Sequence, residues 1–247
     1  MTPSPVKLIG LTKKFGDFTA LSSLDIEVEK GEITGLLGPN GAGKTTTIKL
    51  MTGLLKPTSG RVLIAGIDIA DNPVEAKKKF ALVPDAPFIY GKLTAWEFMF
   101  FIARLYNLSK DGLEDRVVEQ LRTFNIYEVA HDLIDSFSHG MKQRLILATV
   151  MLRDPEIIIL DEPMVGLDPE ASRMVKNIFK ELSERGKNIF LSTHTLSDAT
   201  ELCSKIAIIS SGRLIAHGSY SELEKISGGE KSLEDIYLKI TRDAGAS

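Results

Sequence analysis

An α/β fold around a parallel sheet is what this sequence predicts, on three observations. Short apolar runs alternate with amphipathic stretches, the order produced by parallel strands and crossover helices. One apolar run, "ITGLL" (33–37), passes into a glycine-rich loop and then into a helix-like segment. Another, "EIIILDEP" (156–163), is an unbroken buried-strand pattern that ends in acids.

The elements follow in order. "VKLIGLTKKFG" and "FTALSSLDIEVEKGE" are the first strands, and "DIEVE" alternates apolar and acidic as a half-exposed strand does. "ITGLL" is a short buried strand, "TTTIKLMTGLL" a helix despite its three leading threonines, and "GRVLIAGIDI" a return to strand. From about residue 90 the pattern turns helical, with "TAWEFMFFIARLYNL" and then "LEDRVVEQLRTFNI". In the latter, Val117, Val118, Leu121 and Phe124 share one face at helical spacing. The 88–106 stretch holds seven of the seventeen aromatics, so it is either a small helical core, the expectation for most of them, or a surface that grips a partner. "FSHGMKQRL" (137–145) opens a helix that continues through "KQRLILATVML". "PEASRMVKNIFKELSERG" is an amphipathic helix closed by Gly186, and "KNIFLSTH" and "KIAIIS" are two more strands. In the tail from about 219, "SELEK" and "SLEDI" each fit a capping box. "SGG" separates them, and two short helices are expected, the last with Leu233, Ile236, Tyr237 and Ile240 on one face.

Composition narrows the function classes. The 247 residues are 43% hydrophobic and 26% charged with a net charge of −3, so nothing gives nucleic acid an electrostatic footprint. The run Lys77-Lys78-Lys79 is expected to be a solvated helix face. No stretch approaches the ~18 apolar residues of a membrane span, and "MTPSPVKLIG" lacks a signal-peptide pattern. One cysteine, Cys203, excludes an internal disulfide framework and fits a reducing cytosol. The four histidines lack metal-ligand spacing, and His131 and His217 are assigned surface or structural roles.

The chemistry sits in a few motifs. "GPNGAGKT" (38–45) is a full Gly-x-x-x-x-Gly-Lys-Thr between an apolar strand and a helix, the context that makes it a phosphate cradle. Gly38, Pro39, Asn40, Gly41, Ala42 and Gly43 form the loop, and its glycines let backbone N–H groups turn inward. Lys44 would reach the β- and γ-phosphates, Thr45 would place a hydroxyl on Mg²⁺, and Thr46 would add a donor near the α-phosphate. "IIILDEP" presents Asp161, expected to hold Mg²⁺ through water, and Glu162, expected to orient or deprotonate the attacking water. His194 follows the strand "NIFLS" and is placed to donate to a γ-phosphate. The helix opened at Ser138 points amides and a positive dipole end outward, a second place suited to an anion.

These residues resemble a family. "GPNGAGKT", "FSHGMKQR", "IIILDEP", "GLD" (166–168) and "LSTH", in that order and spacing, are similar to those of ATP-binding cassette (ABC) ATPases, over roughly residues 5–218. The resemblance implies an α/β fold: a P-loop NTPase core with an N-terminal antiparallel β sub-domain and a helical sub-domain (about 88–153) carrying the signature loop. Residues 219–247 would form a short C-terminal helical tail. The family's signature usually reads Leu-Ser-Gly-Gly-Gln; here it is Phe137-Ser138-His139-Gly140-Met141, keeping Ser138 and Gly140 and departing at His139 and Met141. In the family that loop covers the ATP held by a neighbouring cassette, which gives the second anion site its purpose. The resemblance also places Phe15 as an aromatic on adenine, Asp168 in a loop crossing the dimer interface, and Asp85 where the family has a glutamine touching Mg²⁺ and water.

The function implied is a Mg²⁺-dependent ATPase subunit of an ABC transporter, with ATP and Mg²⁺ as cofactors. It would pair with a second ABC ATPase subunit, as homo- or heterodimer, and with an integral membrane permease docked near 85–101. It would be cytoplasmic and peripheral on the inner face of the membrane. The tail "SLEDIYLKIT" resembles subunits serving exporters. The alternatives are a soluble non-transport ABC ATPase and an ATP-dependent binding switch with weak catalysis.

Overall fold

The computed structural model describes residues 3–86 and 89–245 and divides the chain into two compact units. The first comprises residues 1–82, 156–162 and 176–247; the second comprises 83–155 and 163–175.

The first unit holds two sheets. A four-stranded antiparallel sheet, ordered β2-β1-β4-β5, is made from β1 (Val6–Phe15), β2 (Phe18–Val28), β4 (Ser59–Ile64) and β5 (Ile67–Asp68). The six-stranded sheet adds β3 (Ile33–Leu37), β6 (Phe80–Val83), β7 (Ile157–Asp161), β8 (Asn188–Thr193), β9 (Lys205–Ser210) and β10 (Arg213–Gly218), ordered β10-β9-β3-β8-β7-β6. Strands β3, β7 and β8 are buried along their whole length, as central parallel strands covered on both faces must be. Within β3, a Cβ on Gly35 would come 2.5 Å from Cys203 Sγ, so the strand needs glycine there. Burial pushes the Cys203 thiol up to about 12, which leaves the lone cysteine inert. Helices α1 (Lys44–Met51), α2 (Pro73–Lys79), α7 (Leu196–Leu202), α8 (Tyr220–Ile226) and α9 (Leu233–Gly245) belong to this unit, and α6 (Pro169–Glu184) enters it from residue 176.

The tail is part of this core. Leu233, Ile236 and Ile240 of α9 pack in one cluster with Ile206 and Ile208 of β9 and Leu223 of α8. Each such buried side chain contributes about 1.5–3 kcal/mol. The capping box expected at Ser221 and Glu224 forms two residues earlier, where Ser219 and Glu222 cap α8 reciprocally, while in "SLEDI" Ser232 Oγ accepts from Asp235 N at 3.0 Å. The sequence reading missed β6, β10 and α7, and of α2 it anticipated only the helix face at Lys77-Lys78-Lys79. The strand β10, "RLIAHG", is an edge strand whose half-buried residues carry little periodic signal. His217 lies on it with Nε2 buried, and burial holds its imidazole below the usual range.

The second unit is helical: α3 (Ala95–Leu105), α4 (Leu113–Thr123) and α5 (His139–Arg153), with two short 3₁₀ turns between α4 and α5. Val117, Leu121 and Phe124 are fully buried, as their spacing predicts, while Val118 is half-buried. The expectation that most aromatics of 88–106 fill a core is corrected. Of these only Phe98 is buried; Trp96 and Phe100 are half-buried, and Tyr90, Phe101 and Tyr106 are exposed, while Phe88 lies outside the described residues. The inward stripe of α3 is Ala95, Phe98, Met99 and Ala103, which leaves Phe101 on the outer face, edge-on to Tyr90 at 5.4 Å.

Candidate functional site

The loop 38–43 is shaped by close approach. A Cβ on Gly38 would meet Ile209 O at 2.4 Å, and Gly43, at φ +108°, has the Leu21 side chain 2.6 Å from where its Cβ would be. Gly43 occupies the N-cap of α1 and supplies no side-chain cap, so the first-turn amides of that helix are open to a ligand. Thr45 is exposed and Thr46 half-buried on this first turn, while Pro39, Asn40 and Gly41 form the exposed crest of the loop. Ala42 is buried beneath it. Lys44 is 6% exposed. Its Nζ donates to Gly38 O at 2.8 Å and Pro39 O at 3.3 Å, and lies 3.2 Å from Glu162 Oε1.

Sheet register brings the acids to the same edge. Leu37 pairs with Thr193 and Asp161 with Ser192, so the loop, the acids and the end of β8 share the carboxyl end of the parallel strands. This is the edge where open α/β sheets bind ligands. Gly38 N donates to Thr193 O at 3.3 Å, tying loop to strand. Asp161 is 3% exposed and accepts from Ser192 Oγ at 2.5 Å. Glu162 stands in the left-handed region at φ +49°, its N–H donating to the same Ser192 Oγ at 3.1 Å. Glu162 Oε2 lies 3.0 Å from His194 Nδ1. Lys44, Glu162 and His194 are therefore linked in series, with Asp161 beside them through Ser192. Phe15 belongs to the same unit, at a hairpin tip opposite Phe18; both rings are exposed, at 50% and 67%, and Lys13 Nζ lies 4.9 Å from the Phe15 centroid.

The remaining candidates lie in the second unit. Ser138 is the N-cap of α5, its Oγ accepting from Met141 N at 3.3 Å. His139 is exposed, yet its ring fills the place of a side chain at Gly166: a Cβ there would be 2.1 Å from His139 Cδ2. A Cβ on Gly140 would sit 3.0 Å from Gly166 O, so the signature turn and the "GLD" loop touch. Asp168 caps α6, its Oδ1 accepting from Ala171 N at 2.9 Å. Asp85 is an exposed residue just after β6. Sequence reading missed Ser192, whose partners appear only once β7 and β8 are in register. It also missed Gln143, 1% exposed in α5, whose Nε2 lies 3.4 Å from Pro163 O.

No group of three or more His, Cys, Asp or Glu residues among the described residues is arranged to hold a metal alone. The hydroxyl of exposed Thr45 and the carboxylate of buried Asp161 are instead hard-oxygen donors in the same unit. That suits Mg²⁺, which keeps its waters and completes its shell with substrate phosphates.

Comparison with known proteins identifies the family. The family model described as ABC transporter matches residues 21–165. The linearmycin resistance ATP-binding protein LnrL of Bacillus subtilis (strain 168) is 35% identical over 224 residues, covering 91% of this chain and 72% of that protein. The "Probable multidrug ABC transporter ATP-binding protein YbhF" of Escherichia coli (strain K12) is 35% identical over 237 residues. That match covers 94% of this chain but 41% of YbhF, so the chain spans about two fifths of that relative. Among solved structures, an ATP binding subunit of an ABC transporter superposes with a TM-score of 0.91 at 33% identity, covering 96% of this chain and 100% of the other. The mixed α/β architecture, the phosphate loop at the sheet edge and these matches place the chain in the ABC transporter family.

Proposed function

We propose that this chain is the ATP-hydrolysing subunit of an ABC exporter. The observation that carries the reading is the linked series Lys44–Glu162–His194, with Asp161 alongside, at the mouth of the phosphate loop. Backbone amides of 41–46 and the Lys44 ammonium hold the triphosphate. Thr45 and Asp161 would hold Mg²⁺, which neutralises phosphate charge when bound. Glu162 accepts a proton from water as the water oxygen bonds to the γ-phosphorus; the bond to the β–γ bridging oxygen breaks, and ADP leaves with that electron pair. His194 holds the Glu162 carboxylate in line. Phosphate and Glu162 compete for one ammonium, so nucleotide entry draws Lys44 toward the phosphate and frees the base. Phe15 stacks on adenine, and Asp85 occupies the sequence position of the family's glutamine.

Ser138, His139 and Gly140 serve the γ-phosphate of a second cassette, identical or sister, with Asp168 beside the shared interface. ATP then joins two cassettes and hydrolysis releases them. Among the described residues no helix is long and apolar enough to cross a membrane. The proposal assigns the pathway to a separate integral permease, with this chain on its cytoplasmic face. Export is supported by the roles for which relatives are named, among them the SkfA peptide export ATP-binding protein SkfE of Bacillus subtilis (strain 168), 40% identical over 205 residues. The net charge of −3 supports no nucleic-acid partner.

The test is Glu162→Gln. Phosphate release falls by roughly 10²–10⁴, the worth of a positioned base, and size exclusion with ATP shows a trapped dimer. Undiminished turnover by a monomer refutes the reading.

A further inference from the structure

We infer that Ser192 is a positioning residue for hydrolysis, holding both acids of the site through one hydroxyl. The inference rests on the ATPase reading above. Ser192 is fully buried in β8, a strand with all six residues buried. A serine in such a strand ordinarily spends its hydroxyl on a nearby backbone carbonyl. Here Oγ donates to the Asp161 carboxylate at 2.5 Å and accepts from the Glu162 N–H at 3.1 Å. The first is a short charge-assisted bond, roughly twice as strong as a neutral one. It fixes the Asp161 carboxylate against β8 through Oδ1. The second holds the amide of a residue in the left-handed region, a conformation that costs about 1–3 kcal/mol and persists only where the surroundings over-determine it. Register supplies the reason for both bonds, because Ser192 lies directly opposite Asp161 in the parallel pair.

The hydroxyl touches neither water nor phosphate in this scheme; it sets where the two carboxylates point. Removing it loosens the Asp161 ligand and lets the Glu162 backbone relax together, so metal use and turnover fall in step while nucleotide affinity does not. Groups behind a metal ligand carry effects of about 10–100-fold on metal affinity or activity.

The experiment uses the full chain. Ser192→Ala and the nearly isosteric Ser192→Cys are expected to lower kcat about tenfold with KM for ATP within about twofold. In a Glu162→Gln background, where turnover is slowed, Ser192→Ala raises the Mg²⁺ concentration for half-maximal ATP-driven dimerisation about tenfold. Ser192→Thr keeps the hydroxyl and restores the Mg²⁺ midpoint. A wild-type Mg²⁺ midpoint in Ser192→Ala overturns the inference, as does a Ser192→Cys chain with wild-type kcat, which reduces the residue to packing. Wild-type turnover and the Glu162→Gln trap, measured alongside, report on the ATPase reading separately from Ser192.

Discussion

The starts of α1 and α5 are both helix N-termini entered from a loop, and they are built on opposite plans. At α1 the N-cap is a glycine with no side chain to offer, so the first-turn amides stay open, and the adjoining Lys44 is buried among three oxygens of its own unit. At α5 the N-cap is Ser138, whose oxygen already satisfies Met141 N, and the next side chain, His139, is exposed against Gly166. One start is arranged to enclose an anion with chemistry supplied by neighbouring strands. The other has its N-cap already satisfied by a side chain, with Lys142 in its first turn donating its N–H to Ser138 O at 3.0 Å. That difference matches the proposed division of the site between two cassettes, with the cradle at α1 and its lid at the α5 start of the other.

The comparison can be broken at either end. Ser138→Arg places bulk and charge on the α5 start and is expected to reduce phosphate release by about 10² or more, the scale of losing a preorganised anion contact. Nucleotide binding to the monomer, read by a fluorescent analogue, stays at wild type; loss of both together would show that the α5 start serves its own chain's nucleotide. Lys44→Ala removes the enclosing charge at α1 and should weaken ATP binding about tenfold or more, at 1.4 kcal/mol per decade. Unchanged affinity by the same titration would end the phosphate-loop assignment. The smallest effect sharpens the distinction. Ser138→Ala loses a side-chain cap worth about 0.5–2 kcal/mol, whereas Ser138→Gly costs only a few tenths. At about 2–4 °C per kcal/mol for a chain of this size, calorimetry should find the alanine variant melting lower than the glycine variant. Equal melting points would deny that Ser138 caps α5.

Much of the phosphate edge was legible because its chemistry is local. "GPNGAGKT" and "IIILDEP" each carry their ligand types within a few residues, and each follows an apolar run that announces a buried strand. What stayed hidden depends on register or on packing. Ser192 is one polar letter in "NIFLST", and only the pairing of β8 with β7 reveals that it joins the two acids. The ion pair between Lys44 and Glu162 joins residues more than a hundred positions apart. The contact of His139 with Gly166 likewise cannot be read from the departure at 139 alone. The aromatic-rich α3 misled for a different reason: composition suggested a core, but a single helix buries only one stripe, and its small residues Ala95 and Ala103 share that stripe with Phe98 and Met99.

The left-handed backbone at Glu162 sets evolution and engineering against each other. Glycine alone adopts φ +49° without steric cost, so the exchange that would most relax this turn is also the one that deletes the acid. A library sorted only for heat tolerance should therefore drift toward dead protein at position 162, and any thermostable version that still works must draw its extra stability from elsewhere in the fold.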